Sequence, residues 1–318
     1  MDINDVTKLK VAVLGGGWSN EREISMDSAR ACTKALKQAG FAQVELIDVA
    51  SEGFVSRLAT GGYDVAFIAM HGRWGEDGCV QGLCEVLHLP YTFSKVLTSA
   101  VATEKDVAKL IYRSAGIPTP KSVDIPAGHV PTAEERAEII ESLGLPLFVK
   151  PAANGSSYGI THVTSADMLE EAIAVAGRDN DVVLVEEAIS GIEITVPVIG
   201  NDDPQALDII EVVPGEGAEF YDLKVKYEPS ELHHVMPARL PEDIYAKAQE
   251  YAMCAHKALG CRGASRSDFI VTADGTPYIL ETNTIPGMTE TSLLPDSARH
   301  AGIEFPELCR KFVEMALE

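Results

Sequence analysis

The stretch Arg266–Asn283 reads RSDFIVTADGTPYILETN. Two runs typical of β-strands, Ser267–Thr272 and Thr276–Glu281, flank the pair Asp274-Gly275. An Asp-Gly pair between two such runs is the strongest short sequence signal for a β-hairpin. We therefore expect a hairpin with a two-residue type I′ turn at this pair.

A turn of that type places four polar side chains on one face of the hairpin. It sets Asp268 opposite Glu281 and Arg266 opposite Asn283, because side chains alternate between the two faces of a strand. Two facing carboxylates repel each other. A divalent cation held by oxygens of Asp268, Glu281 and Asn283 would remove this penalty, since Mg²⁺ prefers carboxylate and amide oxygens. The alternative is an ordinary charged face exposed to solvent.

Size and composition limit the classes of protein. A chain of 318 residues suits two or three domains. Its 48 Asp and Glu against 26 Lys and Arg give a formal charge of −22, which argues against nucleic acid or an anionic membrane as a main partner. The six cysteines lack a zinc-site spacing, and no secretory signal is recognised, so we expect reduced thiols in a cytoplasmic protein.

The N-terminal part predicts a Rossmann-like unit. A strand-like run, Lys8–Leu14, leads into Gly15–Gly17, and Ser25–Gly40 has the apolar spacing of a helix. The dinucleotide fingerprint G-x-G-x-x-G is absent, which makes a nicotinamide-dependent dehydrogenase an unfavoured alternative. A glycine turn that enters a helix is a general anion site. The charges of Glu21–Glu23 equally fit the first turn of a helix, where its dipole favours acids.

Alternation of strands and helices continues beyond this unit. Val44–Asp48 and Val65–Met70 are strand-like, Val80–Leu87 is helical, and a short strand is expected at Leu89–Thr92. The second strand is followed by the glycine-rich, charged loop His71–Gly78. Loops beyond the carboxyl ends of strands hold ligands in open α/β sheets, so this loop is a candidate ligand site.

The middle of the chain carries a candidate phosphate site. The helix Lys105–Ala115 ends before two prolines, and the apolar run Leu147–Pro151 places Lys150 near the end of a strand. The Gly- and Ser-containing loop Asn154–Gly159 follows, and its backbone N–H groups could surround phosphate oxygens beside the lysine. The loop is not a Walker A loop, and a polar hairpin loop with an incidental lysine is the alternative.

Carboxylates at the ends of two further strands could receive an adenine amino group and ribose hydroxyls. The apolar run Val182–Val185 ends in Glu186 and Glu187, and Glu193–Ile199 begins with an acid. A surface hairpin with solvated ends would show the same spacing.

The last third contains an irregular stretch and a candidate oxyanion donor. Ala218–Ala238 is long and irregular, which is frequent in lids over active sites. Its adjacent residues His233 and His234 would point apart in an extended segment, which disfavours a histidine metal site. Gly287, in a loop after the hairpin, could donate its backbone N–H to an oxyanion near Arg266.

Taken together, these segments resemble the ATP-grasp superfamily, and specifically the D-alanine:D-alanine ligases. The matching pieces occur in family order along nearly the whole chain: NEREIS, HGRWGEDG, FVKP, NGSSYG, VEEAISGIE, FYDLKVKY, GASRSDF and ETNTIPGMTETSLLP. The resemblance implies an α/β fold, in part α+β, of the ATP-grasp type with an N-terminal Rossmann-like domain. The expected division is residues 1–98 for that domain, 99–186 for the central ATP-grasp subdomain and 187–318 for the C-terminal subdomain with metal site and lid.

The activity implied by the resemblance is ATP-driven formation of D-alanyl-D-alanine for peptidoglycan precursors. The carboxylate of one D-alanine is phosphorylated by ATP, and the amine of a second attacks the acyl phosphate. Two Mg²⁺ ions, with Mn²⁺ as a substitute, and a cytoplasmic homodimer are implied as well. Another ATP-grasp ligase, with D-serine or D-lactate as second substrate, and a non-catalytic nucleotide-binding regulatory protein are the alternatives.

The resemblance also implies roles for residues of the nucleotide site. The phosphate-contacting residues are Lys105, Lys150, Ser157 and Lys226. The adenine slot is formed by Glu186 to Ile189, including Glu187, and the ribose is held by Glu193. The Mg²⁺ ligands are Asp268, Glu281 and Asn283.

Roles around the two amino acids follow in the same way. Glu21 would receive the first ammonium group, linked by hydrogen bonds to Ser156 and Tyr227, with His71 nearby. The oxyanion hole is expected from Arg266 and the Gly287 N–H group. The carboxylate of the second substrate is expected near Ser292 and Leu293.

Three positions depart from the family pattern. Trp74 stands where glycine is common, Asn154 where glutamate often precedes Gly-Ser-Ser, and Glu187 where lysine is common. Trp74 lies close to His71 in sequence and could narrow the first-substrate pocket. The pair Lys226-Tyr227 resembles the peptide-forming members, which favours D-alanine over D-lactate as second substrate.

Overall fold

The computed structural model describes residues 3–153, 159–178, 180–213 and 233–318, with side chains from residue 6 onward and without that of residue 233. Within these ranges the strands form three sheets. The predicted residues Ser156, Ser157, Lys226 and Tyr227 lie outside the described residues, as does most of the expected lid.

The N-terminal sheet is parallel, with strand order β2-β1-β3. Its strands are β1 (Lys10–Gly15), β2 (Gln43–Asp48) and β3 (Val65–Ile68). Its helices are α1 (Arg22–Gln38), α2 (Phe54–Thr60) and α3 (Cys79–Val86), after a 3-10 turn at Ile3–Lys8. β1 and β3 are almost wholly buried because helices cover the sheet, which explains their unbroken apolar runs. This is the expected Rossmann-like arrangement.

The strand expected at Leu89–Thr92 is reduced to one parallel bridge, between Tyr91 and Ala66. The Thr92 hydroxyl accepts a hydrogen bond from the Ile68 backbone N–H at 3.0 Å, where a longer strand would use a backbone carbonyl. Phe93 then takes a positive φ of 71°, which ends the extended conformation.

The middle sheet is antiparallel, with strand order β4-β7-β5-β6. Its strands are β4 (Ser122–Pro126), β5 (Leu147–Pro151), β6 (Thr161–Val163) and β7 (Val182–Glu187). The neighbouring helices are α4 (Val96–Thr103), α5 (Lys105–Ser114), α6 (Ala133–Leu143) and α7 (Leu169–Ala176). α6 begins with a capping box between Thr132 and Glu135, which satisfies two free N–H groups at its start.

The third sheet follows the order β11-β10-β8-β12-β13, with β9 paired to β8. Its strands are β8 (Ile192–Ile199), β9 (Gln205–Ala206), β10 (Ile210–Val213), β11 (His233–Val235), β12 (Ala264–Val271) and β13 (Pro277–Asn283). α8 (Glu242–Leu259) packs on it, and Gly260 ends the helix in the left-handed conformation.

The hairpin β12–β13 has the predicted pairing but a different turn. Arg266 faces Asn283 and Asp268 faces Glu281, as predicted. The two-residue turn is wrong: Thr272 and Thr276 are joined by a backbone hydrogen bond of 3.1 Å, so Ala273 belongs to the loop as well. A bulge at Leu280 of β13, between the pairs Asp268–Glu281 and Phe269–Ile279, then shifts the register by one residue. The longer loop and the bulge compensate, which returns Glu281 to the face of Asp268.

The last two helices, α9 (Leu293–His300) and α10 (Phe305–Ala316), return to the N-terminal sheet. Leu308 and Phe312 of α10 belong to the same buried cluster as the strand residues Val11 to Leu14. Both ends of the chain therefore share one core. No helix within the described residues combines the length and the apolar character that a membrane crossing requires.

Candidate active site

The hairpin face holds a carboxylate, that of Asp268, which is fixed by three hydrogen bonds from two side chains. The guanidinium of Arg266 donates to both oxygens of Asp268, at 3.0 and 3.1 Å. The hydroxyl of Thr195, on the neighbouring strand β8, donates to Asp268 Oδ1 at 2.5 Å. Across the ladder, Lys105 Nζ lies 3.2 Å from Glu281 Oε2. The two facing carboxylates are thus each compensated by a cation.

The oxygens of Asp268, Glu281 and Asn283 lie on one face, as the pairing requires. Asn283 Oδ1 accepts a hydrogen bond from the Ile285 N–H at 2.9 Å, which fixes the amide and leaves its second lone pair available. Within the described part of the chain no three His, Cys, Asp or Glu side chains converge on a point. The hairpin donors are two carboxylates and one amide, a set that fits a hard cation completed by phosphate or water oxygens.

A second charged group lies at the ends of β5 and β7. Lys150 Nζ donates to Glu186 Oε1 at 2.9 Å, and both side chains are buried. Glu186 N–H and carbonyl groups stay in the sheet, because Glu186 pairs with Ser122 and Phe148 on the two neighbouring strands. Burial opposes ionisation of Glu186, but the charges of Lys150 and Lys109 outweigh it and keep its pKa below the usual value.

The other predicted residues of the nucleotide site continue from this point. Glu187 and Lys121 form two hydrogen bonds. The Glu187 carboxylate accepts from the Lys121 backbone N–H at 2.8 Å, and the Glu187 backbone N–H donates to the Lys121 carbonyl at 3.0 Å. Ile189 is half-buried in the connection to β8, and Glu193 stands on β8 opposite Ile270. The structure therefore places Lys150, Glu186 and Glu187 together and sets Glu193 one strand connection away.

Glu21 occupies the N-cap position of α1 and is only 8% exposed. Its carboxylate lies against Gly72: a Cβ at Gly72 would come within 2.3 Å of Glu21 Oε2, and Gly72 has a φ of +70°. Only glycine satisfies both conditions. Ser19 connects the same two loops, since its hydroxyl donates to the His71 carbonyl at 2.9 Å. The first glycine turn and the loop His71–Gly78 thus form one pocket wall.

His71 is buried and joins three segments. Its Nε2 lies 2.9 Å from the Ser28 hydroxyl of α1, and the same hydroxyl accepts from the Met288 N–H at 3.3 Å. Burial, with a smaller contribution from the positive charge of Arg266, lowers the pKa of His71 to about 4. At neutral pH His71 is therefore an uncharged hydrogen-bonding group, and the loop that contains Gly287 is fixed against α1.

Glu76 is a site residue that the sequence reasoning did not single out. Its Oε2 accepts from the Gly72 N–H at 2.7 Å, and its Oε1 has no hydrogen-bond partner within the described residues. Burial, and next the negative charge of Glu21, raise the pKa of Glu76 well above the usual value. Two acids thus stand close together in this wall, which favours binding of a cationic group such as an ammonium ion.

Ser292 and Leu293 begin α9, with Ser292 as N-cap and Leu293 as the first helical residue. The Ser292 hydroxyl accepts from the Thr289 N–H at 3.1 Å, and a Cβ at Gly287 would lie 3.1 Å from the same oxygen. Gly287 therefore allows the loop to pass close to the helix start. Free N–H groups at a helix N-terminus attract carboxylates.

Trp74, one of the departures from the family pattern, adopts a left-handed φ of 68° that suits glycine better. It packs edge-on against Trp18 with ring centroids 5.8 Å apart, and the Arg73 guanidinium lies 4.9 Å above its ring. These contacts offset the backbone strain and connect the two loops that carry Glu21 and His71.

Several functional contacts had no local sequence signal. Thr195, Ser28 and Lys109 are distant in sequence from the residues that they hold, and their types are common in any strand or helix. Glu76 could have been found, because it lies in a loop already marked by its glycines and charges. Ser156, Ser157, Lys226 and Tyr227 lie outside the described residues, so their predicted contacts stay predictions.

Comparison with known proteins covers almost the entire chain. The family model "D-ala D-ala ligase C-terminus" matches residues 111–314, and "D-ala D-ala ligase N-terminus" matches residues 53–94. A D-alanine–D-alanine ligase of Moorella thermoacetica is 46% identical over 312 residues, covering 98% of this chain and 100% of the relative. One of Desulforamulus reducens is 44% identical over 313 residues, with 98% and 99% covered.

Solved structures agree. The D-alanine–D-alanine ligase of Bacillus anthracis superposes with a TM-score of 0.85 at 32% identity, covering 97% of both chains. The same enzyme complexed with ATP gives a TM-score of 0.83 at 30% identity, again over 97% of both. The expected ATP-grasp fold class is thereby confirmed, and the dehydrogenase and regulatory-protein alternatives are not favoured. This chain belongs to the D-alanine:D-alanine ligase family.

Proposed function

We propose that the protein uses ATP to join two D-alanine molecules into D-alanyl-D-alanine. A carboxylate oxygen of the first D-alanine attacks the γ-phosphorus of ATP, the bond from phosphorus to the β–γ bridging oxygen breaks, and ADP leaves. The free amine of the second D-alanine then attacks the acyl carbon, the bond to the phosphate oxygen breaks, and phosphate and one proton are released.

The observation that carries this proposal is the arrangement of charges around the hairpin. Lys105 lies at Glu281, Arg266 holds Asp268, and Lys150 lies at Glu186, so each of these three acids is paired with a cation. Phosphoryl transfer needs little covalent chemistry from a protein, but it needs such charges already in place. Lys150 would contact the phosphates, and Glu186 to Ile189 with Glu193 would hold adenosine.

Mg²⁺ fits the same hairpin face. Asp268, Glu281 and Asn283 would hold the ion through oxygen atoms, and the bidentate contact from Arg266 to Asp268 already orients one of the carboxylates. When bound, Mg²⁺ offsets negative charge on the phosphate oxygens. Two ions, with Mn²⁺ as a substitute, agree with a donor set that leaves places for phosphate and water oxygens.

The amino acids would bind on the opposite wall. Glu21 receives the ammonium group of the first D-alanine, and neutral His71 contributes to the same wall. We assign Ser156 and Tyr227 as partners of Glu21. The Gly287 N–H and Arg266 would stabilise the oxyanion of the tetrahedral intermediate. The N-terminus of α9, at Ser292 and Leu293, would bind the second carboxylate, and Ser157 and Lys226 would complete the phosphate contacts.

Activity is tested by ADP release with D-alanine, D-serine, D-lactate and other D-amino acids as substrates. We expect turnover when D-alanine is the sole substrate besides ATP, and mass spectrometry should detect the dipeptide. As second substrate, D-alanine should be favoured over D-lactate. Tight ATP binding without turnover on any of these would instead support a regulatory protein.

The metal assignment is tested by Asp268→Asn and Glu281→Gln, which keep size and remove charge. Each is expected to reduce Mg²⁺-dependent ADP release by more than the roughly 10–100-fold typical of residues that only support a metal ligand. Asp274→Asn is the matched control, because it lies at the exposed tip of the same hairpin and asparagine also suits a turn. Near-normal activity of both hairpin variants would overturn the assignment.

A homodimer has support from exposed apolar side chains on the neighbouring helices α3, α4 and α5. They are Val86, Val96, Leu97, Val107 and Leu110, of which Val86 and Leu97 are 77% and 76% exposed. Light scattering of the purified protein checks this assembly. A cytoplasmic location agrees with six free cysteines, since reducing compartments keep thiols unpaired.

A further inference from the structure

Lys109, on α5, is a lysine with no exposed side-chain surface. Its Nζ donates to the Thr119 hydroxyl and to the Pro120 carbonyl, both at 2.9 Å, and lies 2.5 Å from Glu186 Oε2. Burial lowers the pKa of Lys109 to about 8, with the charge of Glu186 acting in the opposite direction. A buried charge with this many directed contacts holds its partners in one geometry.

The partner that matters is Glu186, whose carboxylate is clamped between two lysines. Lys150 donates to Oε1 at 2.9 Å, and Lys109 stands at Oε2. Within the described residues, Glu186 Oε2 has Lys109 Nζ at 2.5 Å and no other partner, so one of its two lone pairs stays available. This buried oxygen therefore keeps the capacity to accept a hydrogen bond, while its position is set by the neighbouring charge.

The clamp is connected to the metal-side hairpin. Thr119, which accepts from Lys109, donates its own hydroxyl to the Ile279 carbonyl of β13 at 2.9 Å. Lys105 lies one helical turn before Lys109 on α5 and contacts Glu281. Positions four apart lie on the same face of a helix, about 6 Å along its axis. Lys105 and Lys109 therefore project from the same face of α5, Lys105 toward the hairpin and Lys109 toward Glu186.

A contribution to folding stability does not by itself account for two lysines at one buried carboxylate. Replacing buried charged groups by apolar side chains of similar volume is often neutral or stabilising, because ions lose hydration on burial. A role in which Glu186 must stay ionised and fixed accounts for the second lysine.

We propose that Lys109 is a positioning residue that holds Glu186 as the acceptor for the 6-amino group of the ATP base. This inference rests on the proposed function, which places adenine at Glu186 to Ile189. Lys109 does not touch the nucleotide. It sets the ionisation and orientation of the group that distinguishes a 6-aminopurine from other purines.

The test compares ATP with purine riboside triphosphate, which carries hydrogen in place of the 6-amino group. In the wild-type protein kcat/KM should be at least about tenfold higher for ATP, as expected for a hydrogen bond to a charged acceptor. Lys109→Met should reduce this ratio to about two- or threefold by raising KM for ATP. KM for D-alanine should change by less than about twofold.

Thr119→Val is the second variant, because it is isosteric, half-buried and removes one of the groups that hold Lys109. It should reduce the ratio in the same direction by a smaller factor, and it decides the question if Lys109→Met does not fold. Lys121→Met is the matched control: this lysine is exposed, and its contacts with Glu187 use only the Lys121 backbone. The control should keep the wild-type ratio.

Each other outcome overturns the inference at a different point. A wild-type ratio in both variants shows that Lys109 does not position Glu186. If Lys109→Met raises KM equally for both nucleotides, Lys109 acts on phosphate binding, through Lys150, and not on recognition of the base. If the wild-type protein has the same kcat/KM for both nucleotides, the 6-amino group does not bind to Glu186. Absence of any D-alanine-dependent turnover in the wild type refutes the proposed function itself.

Discussion

Two histidines, His71 and His256, are buried without a carboxylate partner among the hydrogen bonds described for them. Burial is the main cause that lowers the pKa of each to about 4. Both are therefore uncharged in the folded protein at neutral pH. An unfolded chain takes up protons at these side chains from about pH 6.5 downward. Folding stability must then decrease as pH falls from about 6.5 to 4, since the unfolded state binds more protons over this range.

His256→Asn tests this linkage away from the substrate pocket. His256 Nδ1 lies 2.8 Å from the Ser265 hydroxyl, a contact that an asparagine can imitate. The wild-type free energy of unfolding should lose up to about 3 kcal/mol per buried histidine between pH 6.5 and 4. The variant should lose correspondingly less, measured by urea denaturation at a series of pH values. Exposed His88→Asn is the control, and an unchanged pH slope in His256→Asn would contradict the assignment.

The hairpin separates what a sequence can predict from what it cannot. Alternation of polar and apolar residues predicts that Asp268 and Glu281 share a face, and this is confirmed. The turn and the bulge were not predictable from the pattern, because an extra residue in the loop and an extra residue at Leu280 cancel in the register. The pairing was therefore right although the predicted turn was wrong.

The contacts that orient the site depend on tertiary structure. Thr195 reaches Asp268 from another strand, and Lys109 reaches Glu186 from a helix that precedes it by many residues. Both are ordinary residues of their elements, and neither periodicity nor spacing marks them. Residue types with unusual chemistry in glycine-rich loops, such as His71, were recognisable because loops at strand ends lead to ligands.

The backbone conformation and the surroundings of Gly275, in the hairpin loop, both disfavour a side chain. Gly275 has a φ of +86°, and a Cβ there would lie 2.6 Å from Ile244 Cδ1 of α8. Gly275→Ala should therefore destabilise the protein by about 1 kcal/mol for the backbone conformation and by about 1–3 kcal/mol more for the contact. The measurement is the free energy of unfolding in urea.

Gly302→Ala separates the two contributions. Gly302 has nearly the same φ, +85°, but a Cβ there would meet nothing within 4 Å. It should show the backbone cost alone. In the Ile244→Ala background, Gly275→Ala should reduce the free energy of unfolding by less than it does in the wild type, because the contact between the new Cβ and Ile244 is removed. Equal losses in the two glycine variants would show that the loop moves away from α8 without cost.

For the whole molecule, the shared core joins the two ends of the chain. The ring of Phe93 contacts the rings of Phe67 on β3 and Phe312 on α10, with centroids 5.8 and 4.9 Å apart, edge-on to the first and tilted to the second. Phe93 also lies against Gly263, where a Cβ would come within 3.2 Å of its Cα. Gly263 precedes β12, so the core of the N-terminal part continues directly to the hairpin that carries Asp268. The division of the chain into three parts, at residues 98 and 186, stays a prediction.

Because of this shared core, Phe312→Ala should weaken the N-terminal part although it lies near the end of the chain. Truncation of a buried phenylalanine costs about 3–5 kcal/mol, and Phe312 is 1% exposed. Val130→Ala, at a side chain that is 67% exposed and outside the proposed dimer surface, is the control and should change stability by less than about 0.5 kcal/mol.

Both tryptophans of the chain, Trp18 and Trp74, lie in the N-terminal part, so their fluorescence reports on that part alone. Circular dichroism reports on all elements. If α10 completes the N-terminal core, Phe312→Ala should move the fluorescence transition in urea to lower concentration by the full amount, together with the dichroism transition. A fluorescence transition that stays at the wild-type midpoint while dichroism shifts would mean that the N-terminal sheet is stable without α10. The contact between chain ends would then have no part in holding Glu21 and His71 in place.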